Sequence, residues 1–246
     1  YELGASVWHD SSWHTVQDGL KAAIGDPEGV AAMKTEPLTR FVEGLMLGGF
    51  AMQDMQSSRP ASGAEHHMSH FWEVVNEERG VQGAMHGEQV AVGTVLVLML
   101  AEALRETQID FNEARAFARD YNEAVWEQEI YRCYGSAAQE VLDLEKKAGK
   151  NAVPERMERI ERIEANWEEI LHQLETLPDA TEIQNLLRMI GSPCKPEEIG
   201  IDKPLLHDTF FYAKETRDRY TLLQLVYDLG LTEKLSEQVA VRAFAE

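Results

Sequence analysis

Four of the eight histidines, His66, His67, His70 and His86, fall within one short stretch of this 246-residue chain. His66 and His70 are four residues apart, so on a helix their rings share one face while His67 points elsewhere. Imidazole pairs on one face are suited to holding a divalent cation or moving a proton. A lone histidine of this kind is most simply a hydrogen-bonded core or surface residue. The grouping of four points instead to a site.

The flanking residues predict how these rings are positioned. Pro60 disfavours helix at the residue before it. Ser62 and Glu65 have capping-box spacing, so a helix is expected to begin at Gly63 and carry His66 and His70. His86-Gly87-Glu88-Gln89 precedes the apolar run Val90 to Leu104. That places His86 at or just before a second helix N-terminus. Exposed N–H groups and the macrodipole there disfavour imidazolium, and neutral imidazole is the form that binds metal. Glu65 and Glu88, each in a first helical turn, read as capping and orienting groups.

The bulk composition is that of a globular domain, with 44% hydrophobic residues. The formal charge is −20, from 43 acidic and 23 basic side chains. Such a surface repels phosphate backbones, so nucleic acid is not an expected partner. Cys133 and Cys194 are the only cysteines and form no metal-ligand pattern, which suggests a reducing, cytoplasmic compartment. The apolar run near Val90 to Ala103 is shorter than a membrane span and contains Glu102, so it reads as a core helix.

Helical periodicity and punctuation continue along the chain. Helices are predicted over 12–24, 37–55, 110–128, 136–147, 154–177 and 204–216. Glycines in the Gly44 to Met52 segment would admit a neighbouring helix, with the methionines as core filler. Met157, Ile160, Ile163, Trp167, Ile170, Leu171 and Leu174 make one stripe, expected to face the domain's own core and not a coiled-coil partner. Asp179, Asp202 and Thr232 read as N-caps, with Gly230 ending the helix within 220–229. Arg217-Asp218-Arg219 reads as a polar joint. No segment alternates like a half-buried strand. The fold class is therefore all-α.

Ser58-Arg59-Pro60-Ala61-Ser62-Gly63-Ala64-Glu65-His66, His70 and His86-Gly87-Glu88 resemble the iron-containing alcohol dehydrogenase and dehydroquinate synthase-like superfamily. Pro196 to Gly200 and Ala213 to Thr221 are similar to it as well. Within it the likeness is to the branch that acts on glycerol 1-phosphate. The resemblance implies that residues 1–246 are the multi-helix C-terminal domain of that fold, which binds metal and substrate. A separate N-terminal domain would hold NAD(P), since no glycine-rich strand–turn–helix fingerprint occurs here.

It further implies that His66 and His86 ligate Zn2+, or Ni2+ or Fe2+ in relatives. A third, aspartate ligand would lie upstream of Tyr1, because the flanks of Asp10 do not match the family motif. His9 and His14 are expected at the surface. His70 would contact substrate as the catalytic group, and Arg59, on the loop fixed by Pro60, would bind its phosphate. The implied partner is a small phosphorylated polyol, glycerol 1-phosphate or dihydroxyacetone phosphate, with a homo-oligomer as a further expectation. The alternatives are a glycerol or other polyol dehydrogenase, a dehydroquinate-synthase-like enzyme, or a metal-free helical interaction module.

Overall fold

The computed structural model describes residues 9–245, and among these no strand occurs. The helices are α1 (Asp10–Ile24), α2 (Pro27–Ala31), α3 (Thr35–Asp54), α4 (Ala64–Glu78), α5 (His86–Arg105), α6 (Phe111–Arg119) and α7 (Glu123–Tyr134). They are followed by α8 (Ala138–Ala148), α9 (Val153–Ala165), α10 (Trp167–Glu175), α11 (Ala180–Met189), α12 (Lys203–Tyr212), α13 (Leu222–Asp228) and α14 (Thr232–Ala243). Short 3-10 turns cover Arg59–Ala61, Gly135–Ala137, Pro196–Ile199 and Ala213–Thr216.

The core forms around α5. Its Val92, Val95, Leu96, Met99, Leu100 and Leu104 are buried, and α4, α10, α11, α13 and α14 pack against it. By length and apolar composition this helix is long enough to cross a membrane, contrary to the shorter run expected. Its packing makes it the core helix of the bundle. Helix α4 turns Met68, Phe71, Trp72 and Val75 inward. The Trp72 indole donates to Thr209 Oγ1 of α12 at 2.8 Å, which satisfies its N–H at the centre of the core.

Gly93 sets the α4–α5 crossing. A Cβ there would stand 2.9 Å from the Glu65 carbonyl oxygen, so only glycine admits the α4 backbone this close. Gly44 plays the same part between α3 and α1, where an added Cβ would lie 2.4 Å from the Gly19 oxygen. The other expectation for α3 fails. Met46, Leu45 and Phe50 are exposed and fill no core, because α3 packs chiefly on α1 and α2, which cover one side of it.

Two long helices expected from continuous periodicity are broken. The 110–128 segment splits because α6 stops at Arg119 and the Asn122 side chain caps α7, accepting from the Val125 N–H at 3.2 Å. The 154–177 segment breaks at Asn166, whose N–H turns to the Arg162 and Ile163 carbonyls. The apolar face survives the break, and Ile160, Ile163 and Leu174 are buried in the core. The stripe therefore packs onto its own domain, as expected. Asp179 and Asp202 cap α11 and α12 as predicted. Thr232 does not cap α14, since the N-cap is Leu231 and the Thr232 hydroxyl is buried without a partner.

His67 faces the core, fully buried, and neither ring nitrogen has a partner. Burial first, then the charges of Lys150 and Arg219, push its pKa down to about 3. The ring therefore stays neutral in the folded chain and takes a proton in the unfolded one below its ordinary value of 6.5. Its folded pKa is depressed, so stability is full above that ordinary value and falls as pH drops toward about 3. The expected loss is about 1.4 kcal/mol per pH unit in that window. Urea unfolding between pH 7 and pH 4 should show this slope in the wild type and a flatter one in His67→Phe.

Candidate metal and substrate site

His66, His70 and Glu73 stand at i, i+4 and i+7 of α4, opposite the face that buries Met68, Phe71 and Trp72. The turn at 79–85 reverses the chain and brings His86, the first residue of α5, to the same place. The Glu88 carboxylate accepts from the Met85 N–H at 2.9 Å. Gln89 donates to the Ala84 carbonyl at 2.8 Å and accepts from Ser69 Oγ at 3.1 Å. These bonds fix the start of α5. The corresponding bonds at α4 differ from the predicted capping box. Gly63, in place of Ser62, is the N-cap, and the Glu65 carboxylate accepts from the Gly63 N–H at 2.8 Å. The Ser62 carbonyl is instead turned to Arg219.

The three rings form a triangle. Centroids are 5.4 Å apart for His66 and His86, 5.6 Å for His70 and His86, and 6.4 Å for His66 and His70. Each Nδ1 is held by a carboxylate. Glu65 Oε1 lies 2.7 Å from that of His66, Glu73 Oε2 lies 3.0 Å from that of His70, and Glu73 Oε1 lies 2.9 Å from that of His86. Ser69 Oγ is also 3.1 Å from His86 Nδ1. Among the described residues the hydrogen bonds of the three rings are all at Nδ1, which leaves the three Nε2 atoms available as ligands. A carboxylate on one imidazole nitrogen, which fixes the ring and raises the basicity of the other, is the usual arrangement behind a metal-bound histidine. Two imidazoles on one tetrahedral zinc ion would have centroids roughly 5 Å apart. Imidazole nitrogens backed by carboxylates are the donor chemistry that a divalent cation of the zinc type takes.

Glu73 was missed in the sequence, although its i+7 position relative to His66 was legible. Burial alone would raise its carboxyl, but the bonds from His70 and His86 outweigh that and hold it below the usual carboxylate range. Glu65 is held low in the same way, burial being outweighed by His66 and the Gly63 N–H. Among the described residues the group of three whose ligand atoms come within 4.8 Å of one another is His70, Glu73 and His86, and His66 is not part of it. Since Glu73 already bonds Nδ1 of both rings, its geometry suits orientation better than ligation.

Arg59 lies on the exposed 3-10 turn leading to Gly63. Among the described residues its guanidinium meets neither a loop carbonyl nor a carboxylate. His9 and His14 lie outside the trio, as expected, facing Asp54 at 4.0 Å and Asp10 at 3.5 Å respectively.

No family model matches the chain. Curated relatives do. A protein named glycerol-1-phosphate dehydrogenase (NAD(P)+) from Geobacillus stearothermophilus is 26% identical over 218 residues, 88% of this chain and 45% of the relative. One of the same name from Halalkalibacterium halodurans is 26% identical over 211 residues, 86% of this chain and 43% of its own length. One from Korarchaeum cryptofilum is 44% identical over 68 residues, 27% of this chain and 22% of the relative. The resemblance read from the sequence is thus borne out over most of the chain, and the all-helical architecture agrees with it. The chain spans less than half the length of the first two relatives.

Proposed function

We propose that this chain is the metal- and substrate-binding part of a glycerol-1-phosphate dehydrogenase, which interconverts glycerol 1-phosphate and dihydroxyacetone phosphate with NAD(P) held by another part of the protein. The observation that carries this reading is the imidazole triangle with every Nδ1 on a carboxylate, in a chain similar to dehydrogenases of that name. His66 and His86 would hold the cation through Nε2, as the pair with the shortest centroid separation. A zinc, nickel or iron(II) ion bound there would supply Lewis acidity, lowering the pKa of a substrate hydroxyl.

The other roles follow from the hydrogen bonds. Glu73 fixes His70 and His86 from two sides of its carboxylate, so the rings of α4 and α5 keep one relative orientation. His70 would then take the C2 hydroxyl proton at Nε2, with Glu73 holding the Nδ1–H of the resulting imidazolium. The Arg59 guanidinium, on a loop entering α4 one turn before His66, would bind the substrate phosphate.

Calorimetry on the zinc-loaded chain tests this reading. Dihydroxyacetone phosphate should bind at least about tenfold more tightly than dihydroxyacetone, the smaller effect expected of one charge-assisted contact. Arg59→Ala should remove most of that preference without changing the melting temperature. Equal affinity for the two ligands would point to an unphosphorylated polyol instead. A lowered melting temperature with equal loss on both ligands would make Arg59 a structural residue of its loop.

A further inference from the structure

The joint after α12 is docked onto the loop before α4, though the two are about 160 residues apart. Arg219 donates from Nη2 to Ser58 Oγ at 2.8 Å and from Nη1 to the Ser62 carbonyl at 3.2 Å. Those two acceptors bracket Arg59, Pro60 and Ala61. From the inner side, buried Lys150 donates to the carbonyls of Lys214 and Arg217 at 2.6 and 3.0 Å. The backbone of Arg217 is therefore fixed while its side chain stays exposed. Three guanidiniums, Arg59, Arg217 and Arg219, so gather at one edge of a chain with formal charge −20.

Among the described residues none of the three has a carboxylate ion-pair partner, although Asp218 lies within the joint. Their mutual repulsion is felt. Burial first, then Arg59 and Arg217, hold the Arg219 pKa below its ordinary value, against the opposing effect of Asp218. Like charges brought together without counter-charge cost energy unless an anion joins them. Ser62, where Arg219 anchors, lies two residues before the first residue of α4, the helix that carries His66 and His70. The arginine edge therefore adjoins the start of the helix that carries the imidazoles, the side from which a phosphate on a bound polyol could be met.

We propose that Arg217 and Arg59 grip the same phosphate group, and that Arg219 is the positioning residue that ties their two segments together. This rests on the polyol-phosphate reading above and adds to it a second reader from the joint. Planar guanidiniums from two segments can each present a pair of N–H donors to a tetrahedral phosphate.

Titration of the 246-residue chain with inorganic phosphate, followed by calorimetry, tests it. The wild type should bind one phosphate saturably. Arg217→Gln changes an exposed side chain and should fold normally, yet weaken phosphate roughly ten- to hundredfold. Arg219→Gln should weaken phosphate as well, with zinc affinity unchanged, whereas a merely structural loss would move both. If Arg59→Gln lowers phosphate affinity while Arg217→Gln leaves it within twofold, the inference about the joint falls and the polyol-phosphate reading stands. If the wild-type chain binds no phosphate, both fall.

Discussion

Replacing either His66 or His86 by alanine is expected to abolish stoichiometric zinc binding by this chain. The two side chains come from different helices, and their ring centroids lie 5.4 Å apart. Loss of an orienting partner alone typically weakens a metal site by about ten- to hundredfold, so loss of a ligand should exceed about a hundredfold. His70→Ala should cost much less in zinc affinity, because its assigned role is toward substrate. Glu73→Gln should fall between, since it weakens the hold on His86 Nδ1 without removing a ligand nitrogen. Zinc titration against a competing chelator would rank the four variants. Undiminished zinc content in His66→Ala or His86→Ala would reject the ligand assignment.

Glu215→Ala should destabilise the fold by about 3–5 kcal/mol, the usual cost of removing one partner from a buried ion pair. The Glu215 carboxylate is fully buried, with Lys150 Nζ 2.9 Å from Oε2 and Lys214 Nζ bonded to Oε1. Asn151 and Trp126 also donate to Oε1, at 2.8 and 3.1 Å. Burial would raise this carboxyl, yet the two ammonium groups bring it down to about 2. Its contribution is therefore present above the ordinary carboxylate range and fades only as pH falls toward about 2. In the alanine variant Lys150 and Lys214 would lose their closest counter-charge. Urea unfolding at pH 7 would register the loss, and a change below about 1 kcal/mol would show that other groups compensate the two lysines. The same network fixes the Arg217 carbonyl through Lys150, so it supports the arginine edge as well as the core.

Local pattern was enough to place His66 and His70 on one helical face and His86 at the start of another helix. Spacing along one chain segment decides both, whereas length and apolar composition alone left the run after His86 open to a membrane-spanning reading that its packing decides. Glu73 carried no such signal by itself. Its bond to His86 depends on the antiparallel pairing of α4 and α5, which Gly93 permits and no local pattern states. Arg219 was legible as part of a polar joint and of the family-like stretch Ala213 to Thr221, but its contacts were not, since its partners are about 160 residues away. The breaks at Asn122 and Asn166 were hidden because apolar periodicity continues on both sides of each. Caps and backbone turns end those helices without changing which face is buried. Ser62 had the spacing of a cap, but Arg219 takes its carbonyl and Gly63 starts the helix.

The most direct measurement is X-ray absorption on the zinc-loaded chain, with a crystal structure at the zinc edge to locate the ion. The expected result is one zinc per chain, bound by Nε2 of His66 and His86, with Glu73 still on the Nδ1 atoms of His70 and His86. Oxygen ligands would fill the remaining positions of a tetrahedral shell. Zinc seated on His70, Glu73 and His86 with His66 uncoordinated, or zinc found away from the three imidazoles, would contradict the site as described.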